Sequence, residues 1–315
     1  MLKKVIYTLL IAIVSISLPA QELSLYQDYM FNSLYNLNSA AAGFDGNFVS
    51  QITATKKWLG ISGSPSSQIL SNSIRLGKKE YYDKNNYVYQ PHGSFINRVG
   101  LGFTIFNETD GPLRHTGALL AYAYHIPMRR GQLSFGISGV VAQHGLNTSE
   151  FKPVEANDPS LYTSTSEIVS DANVGLLFYN RKFFAGISIN GLININRTMD
   201  HTTTTPNMVV CGGYKLTVSG QMAVEPSILV TRDGLGEITT DINAKLYYLS
   251  KYWLLLSYKT NRSMETGIAM QLSTGLQLSY AYAVSTSGFT NTYMGSHNIS
   301  LRVDVAALKN KNSGR

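Results

Sequence analysis

The stretch Val99-Gly100-Leu101-Gly102-Phe103-Thr104-Ile105 decides the fold. Side chains alternate sides along an extended chain, so Val99, Leu101, Phe103 and Ile105 share one face and Gly100, Gly102 and Thr104 the other. The same period of two recurs outward from it. Leu133, Phe135, Ile137 and Val141 oppose Gln132, Ser134, Gly136 and Ser138; Leu276, Leu278, Tyr280 and Tyr282 oppose Gln277, Ser279, Ala281 and Ala283. Near the end, Ile299, Leu301, Val303 and Val305 oppose Asn298, Ser300, Arg302 and Asp304. The helical period is nearly absent, which makes the chain all-β. Alternation alone suits a soluble sandwich as well as a membrane barrel.

Strand length and spacing separate those two. The pattern predicts strands near residues 47–57, 64–76, 97–107, 113–126, 131–145, 171–180, 182–192, 207–218, 221–232, 236–248, 251–260, 264–273, 276–286 and 295–305. That is about fourteen strands of 10 to 15 residues, enough for a tilted bilayer crossing and well above the average soluble strand of about 5 to 6 residues. Connections sort by parity. Short turns follow even strands, at Met128 to Gly131, Asn180-Arg181, Ser219-Gly220, Ser250-Lys251 and Thr274-Gly275; longer polar loops follow odd ones, at Asn147 to Ser170, Gly191 to Pro206 and Ser287 to Tyr293. Short turns on the periplasmic side and long loops outside are the habit of outer-membrane barrels. Both chain ends then lie in the periplasm, and Gly77 to Ile96 stands out as a long loop on that side. Tyr122, Tyr124, Tyr179, Phe183, Tyr247, Tyr248, Tyr252, Trp253, Tyr280 and Tyr282 fall near strand ends, as interfacial girdles require.

Composition agrees: 14% charged residues, 20 tyrosines and 27 glycines suit a wall with lipid on one side and water on the other. Lys3 and Lys4, the apolar run Val5 to Leu18 and the junction Pro19-Ala20-Gln21 have the layout of a secretory signal peptide. Nothing later supplies the roughly 18 apolar residues of a spanning helix. The domain reading is a signal peptide at 1–20, a periplasmic N-terminal segment or plug at 21–46, an outer-membrane β-barrel at 47–305 and a polar tail at 306–315. Loss of the two leader lysines takes the formal charge from +7 to +5. The excess is scattered over pairs such as Lys56-Lys57, Lys78-Lys79 and Arg129-Arg130, a poor match to a nucleic-acid surface and a better one to lipid phosphate or protein partners. Cys211 is the one cysteine, so no internal disulfide exists and barrel closure must supply the stability.

Tyr26-Gln27-Asp28-Tyr29-Met30-Phe31-Asn32 followed by Tyr35-Asn36 resembles the mature start of the PorP/SprF family of the type IX secretion system. Further matches come in order: Lys57-Trp58-Leu59-Gly60-Ile61, Gly63-Ser64-Pro65, Gly100-Leu101-Gly102, Asp110-Gly111-Pro112 and Tyr122-Ala123-Tyr124-His125. Leu133-Ser134-Phe135-Gly136, Asp158-Pro159, Phe184-Ala185-Gly186-Ile187-Ser188 and Gly295-Ser296-His297 complete the series across the mature chain. Ser33 and Ser39 depart from it, standing where the family usually shows proline. The resemblance implies a non-enzymatic outer-membrane component that supports secretion or surface attachment of cargo bearing a C-terminal sorting domain, such as a gliding adhesin. It implies partners among the periplasmic parts of that machine, with outer-membrane lipid around the barrel. A transport barrel for a small solute is the alternative.

The residues themselves give no catalytic constellation. His92, His115, His125, His144, His201 and His297 form no triad spacing with the abundant serines and threonines, leaving His144 and His201 as the pair worth testing. No metal or cofactor site is expected, since no two histidines have close ligand spacing and Cys211 is isolated. Glu225, Asp241, Lys245, Lys259, Glu265, Arg302 and Asp304 lie on faces that alternation sends inward. They read as a lumenal charge network, serving either to brace the interior by mutual pairing or to line a ligand or conduction path. Tyr26, Tyr29, Phe31, Tyr35 and Trp58 are the expected partner contacts. The segment Gln21 to Phe44, which has no membrane duty, either plugs the lumen or docks on a periplasmic partner.

Overall fold

The computed structural model describes residues 33–76, 98–146, 166–193, 206–234, 236–260, 263–285 and 294–305. Its strands are β1 (Val49–Lys56), β2 (Ser66–Leu76), β3 (Val99–Asp110), β4 (Leu113–Met128), β5 (Gly131–Leu146), β6 (Ser166–Tyr179) and β7 (Phe183–Asn190). They continue with β8 (Asn207–Tyr214), β9 (Leu216–Thr217), β10 (Met222–Arg232), β11 (Ile238–Tyr248), β12 (Tyr252–Lys259), β13 (Ser263–Ser273), β14 (Leu276–Ser285) and β15 (Ser296–Asp304). Each pairs antiparallel with its sequence neighbours, β8 and β9 both lie against β10, and β1 closes the circle on β15 from Val49 opposite Asp304 to Lys56 opposite His297. Since β8 and β9 are one crossing interrupted at Lys215, the result is a closed antiparallel barrel of fourteen strands. Closure leaves no edge strand among the described strands, which is what a β structure needs in hydrocarbon.

Alternation assigns the two surfaces. Ile52 (54% exposed), Leu120 (65%), Ile137 (60%) and Ile268 (54%) point outward, while the residues between them, such as Thr53, Ala121, Ser138 and Glu265, are buried inside. So many exposed large apolar side chains would be costly in water and are at home in lipid. No helix among the described residues is long and apolar enough to cross a membrane.

The structure differs from the sequence expectation at three places. β6 begins at Ser166, five residues before the predicted 171, because Glu167 to Ser170 continue the ladder with β5. Of the expected girdle aromatics, Tyr179 (1% exposed) and Tyr247 (5%) face the lumen, where the Tyr247 hydroxyl donates to Glu225 at 3.1 Å; their parity, one residue from an outward neighbour, sends them in. Trp253 lies opposite Tyr247 with ring centroids 6.0 Å apart, so it too is on the inner face. Tyr122, Tyr248, Tyr252 and Tyr280 stay exposed outside. The turn after β11 holds Leu249 and Ser250 both at φ +53°, the mirror-image geometry that matches strand twist in two-residue hairpins.

Candidate functional site in the barrel interior

Before β1 the chain runs inside the barrel. Ser33 leads into one helical turn, α1 (Leu34–Leu37), then a 3-10 turn at Ser39–Ala41, and the Asn38 side chain caps that turn by accepting from the Ala40 amide at 3.0 Å. Four-residue helices are not stable on their own. These persist because the wall satisfies them: Leu37, Ala40, Ala41 and Ala42 are at most 2% exposed and pack with Phe106, Leu119, Ala121, Ala123 and Leu177 in the main apolar cluster. Burying Leu37 alone stabilises the arrangement by about 2 kcal/mol.

Polar groups of the wall take over where the short helices leave backbone groups unpaired. The Ser134 hydroxyl donates to the Ala40 carbonyl at 2.6 Å, and Ser188 and the Asn190 amide donate to the Leu37 carbonyl at 2.7 and 3.2 Å. The Gly43 amide donates to Ser73 Oγ at 2.8 Å. In the other direction, Asn38 Nδ2 reaches the carbonyls of Leu176 and Ile187 at 3.1 and 3.2 Å. The Tyr35 hydroxyl lies 2.7 Å from Thr104 Oγ1 and 3.0 Å from the Asn72 and Phe103 carbonyls, while Asn36 bonds Ser71 and Thr104. Burial pushes the Tyr35 phenol up to about 12, so its hydroxyl stays protonated at any physiological pH.

His125 fastens the end of the segment. Nε2 donates to the Ala42 carbonyl at 2.8 Å, and Nδ1 lies 2.9 Å from the Tyr179 hydroxyl, which also donates to Gln132 Oε1 at 2.7 Å; Arg75 in turn donates to Tyr179 and to Gln132 Oε1. Glycines make the contact close enough for these bonds. A Cβ on Gly136 would collide with the backbone of Ser39 and Ala40, one on Gly100 with the Ala42 carbonyl, and one on Gly102 with the Tyr35 ring at 2.7 Å. Gly175 and Gly186 leave room for the Asn38 amide in the same way. The inner faces of β2 to β7 are thus a seat shaped to a segment of the same chain.

The expected charge residues divide into two groups. Lys259 and Glu265 form an ion pair at 3.7 Å, Glu225 lies directly across from Lys245, and Asp241 lies across from Lys259. Arg302 and Asp304 instead hold the segment that enters β1: Arg302 pairs with Asp45 at 2.6 Å and Asp304 accepts from Asn47 at 3.1 Å. Of the expected partner contacts, Trp58 is 45% exposed at the β1–β2 turn. Tyr35, by contrast, is 2% exposed and committed to the wall, so its ring has no surface left for a partner. Tyr26, Tyr29, Phe31 and the leader lie outside the described residues, as does His201. His144 sits on β5 with its ring 4.4 Å from that of His115. Among the described residues no three histidine, cysteine or acidic side chains meet as a metal site.

A family profile, type IX secretion system membrane protein PorP/SprF, matches residues 18–303. The chain belongs to the PorP/SprF family. No curated protein sequence matches it. Solved structures similar to it include Omp33 of Acinetobacter baumannii, with 6% identity, 83% of this chain and 99% of that one covered, and a TM-score of 0.48. A TodX monoaromatic hydrocarbon channel variant has 9% identity, 86% and 92% coverage and a TM-score of 0.47. The KdgM porin has 5%, 81% and 98%, with 0.37.

In this PorP/SprF chain the resembling motifs and the seat coincide. Tyr35-Asn36 is the first turn of the seated segment; Gly100, Gly102, His125, Ser134, Gly136, Gly186 and Ser188 are the inward members of motifs on β3, β4, β5 and β7. Sequence reasoning missed Asn38, Ser134, Tyr179 and Ser188 as contacts. Their one available signal was that small and polar inward residues crowd the first seven strands while the charges crowd the last six.

Proposed function

We propose that this chain is a non-enzymatic outer-membrane component of the type IX secretion system whose lumen is held occupied by its own residues 33–46. It supports secretion or surface attachment of sorting-domain-bearing cargo through protein contacts, made by the outer loops on one side and by residues 21–32 with the short turns on the periplasmic side. The observation that supports this reading is the seat: a segment held to the wall by Asn38, Ser134, His125 and Ser188 suits an anchor better than an open solute path. Residues 21–32 directly precede the seated segment in the chain and carry Tyr26, Tyr29 and Phe31, aromatic side chains suited to a partner contact. A pull-down from gently solubilised outer membranes tests this. The expected result is co-purification of periplasmic secretion components, with cargo accumulating in cells that lack residues 21–32. A normal secretome together with a growth defect on one solute would favour the transport alternative.

A further inference from the structure

The outer wall of the barrel is chemically lopsided at its long-loop end. Near the long-loop end of β6, β7, β8, β11, β13 and β14 large apolar side chains stand outward at Ile168, Ile189, Met208, Ile238, Met264 and Val284, all at least 37% exposed, interrupted by Ser166, Ser170 and Thr240 and by Arg232 of β10 between Met208 and Ile238. From β15 through β5 the same height is polar. One outward row runs across adjacent strands through His297, Lys56, Ser66, Thr109 and Arg114, each directly opposite the next. A second row below it runs Gln68, Asn107, Thr116 and Gln143.

These rows are organised rather than merely wet. Asn107 Nδ2 donates to Gln68 Oε1 at 2.8 Å, Thr116 donates to Asn107 Oδ1 at 2.8 Å, and Ser66 and Thr109 share a bond of 2.7 Å. Lys56 is steadied by donating to the Ser64 carbonyl at 2.7 Å, which leaves its ammonium two further protons to donate. Tyr280 holds His297 through a bond of 2.9 Å to Nδ1, and the Tyr282 ring lies 5.3 Å from the imidazole. No aspartate or glutamate takes an outward position on the described strands β14, β15 or β1 to β5, so no outward carboxylate on those strands pairs with Lys56 or Arg114. Three strand spacings of about 4.8 Å put the two cations roughly 14 Å apart. Ile52, Phe103, Ile105, Leu120 and Ile137, all exposed, form the apolar wall immediately below.

We propose that this patch binds the headgroup of an outer-leaflet glycolipid that carries phosphate. Lys56 and Arg114 take the phosphates, the amide and hydroxyl ladder meets sugar hydroxyls, and the apolar wall below receives the acyl chains. A headgroup with several rings suits cations that far apart better than a small anion does. The outer leaflet follows from the sidedness given under the proposed function, on which this inference rests.

The test uses the full-length mature protein, stripped of lipid in detergent and offered lipid A and phosphatidylglycerol in equal amounts, with retained lipid counted by native mass spectrometry. The expected result is at least fivefold preference for lipid A, lost in the K56Q/R114Q double variant and kept in K251Q, which changes a cation in a turn at the opposite end. Equal retention of both lipids, or unchanged preference in the double variant with its heat-modifiable mobility intact, overturns the site. A separate arm places cysteine at exposed Ser62 and labels intact cells with an impermeant maleimide, Cys211 being buried and silent. Labelling confined to broken cells overturns the sidedness and the leaflet assigned here, whereas external labelling with no lipid A preference overturns the patch alone.

Discussion

At position 136 a single hydrogen in place of a methyl group lets two pieces of backbone touch. Gly136→Val puts branched carbon where Ser39 and Ala40 now lie, and forcing bulk into a packed interior costs about 1–3 kcal/mol. The wall is hydrogen-bonded on both sides and will not move first. The expected outcome is an intact barrel whose residues 33–46 become sensitive to added protease in purified protein; equal protection in variant and parent would contradict the seat. His125→Phe keeps the ring and removes both nitrogens, leaving the Ala42 carbonyl buried without a donor at a cost of about 1–3 kcal/mol. Tyr35 supplies a pH signature. Its folded pKa stands above the ordinary phenol, so its contribution is fully present below about 10 and fades as pH rises from there toward about 12, where the freed phenol ionises and the buried one resists. Protease protection of the segment should therefore weaken above about pH 10 in the parent, and Y35F, which cannot ionise, should keep whatever protection it has across that range.

The elements explain what could be read in advance and what could not. Fourteen crossings were legible because a strand with lipid on one face and water on the other has no freedom in its alternation, and a register slip of one residue would turn Leu120 inward and Ala121 to lipid. β6 was misjudged at its start because Glu167, Ile168, Val169 and Ser170 lie in a polar loop context, while their ladder with β5 is a tertiary fact. The seat was illegible for a similar reason. Alternation tells which face Ser134 and Gly136 occupy, not that Ala40, almost a hundred residues earlier, lies over them. Tyr179 was assigned to a girdle because nothing local distinguishes it from Phe178, its outward neighbour. The same element view gives a prediction for residues 21–32. Removing them leaves the seated turns, β1 and the Arg302–Asp45 pair in place, so the shortened protein should reach the outer membrane in normal amount and keep its heat-modifiable mobility on gels. Secretion of cargo should fall at least tenfold in that strain. Normal secretion would mean that these residues carry no partner contact.

For the molecule as a whole, the two halves of the wall have different duties. β2 to β7 grip the chain's own N-terminal segment with neutral hydrogen bonds and close backbone contact, and β10 to β15 carry the paired charges inside. Occupation of the interior should make the parent nearly silent in planar bilayers, with Gly136→Val opening measurable conductance. The whole account rests on the N-terminal turns lying inside a closed barrel. The most direct measurement is a cross-link in isolated outer membranes between Asn36→Cys and Ser71→Cys, in a chain with Cys211→Ala, because Asn36 Nδ2 and Ser71 Oγ are 3.0 Å apart. Mild oxidation should join the two thiols nearly completely, giving a gel shift that reductant reverses, with neither single-cysteine protein shifting. Two thiols that stay free and react with a water-soluble maleimide would contradict it.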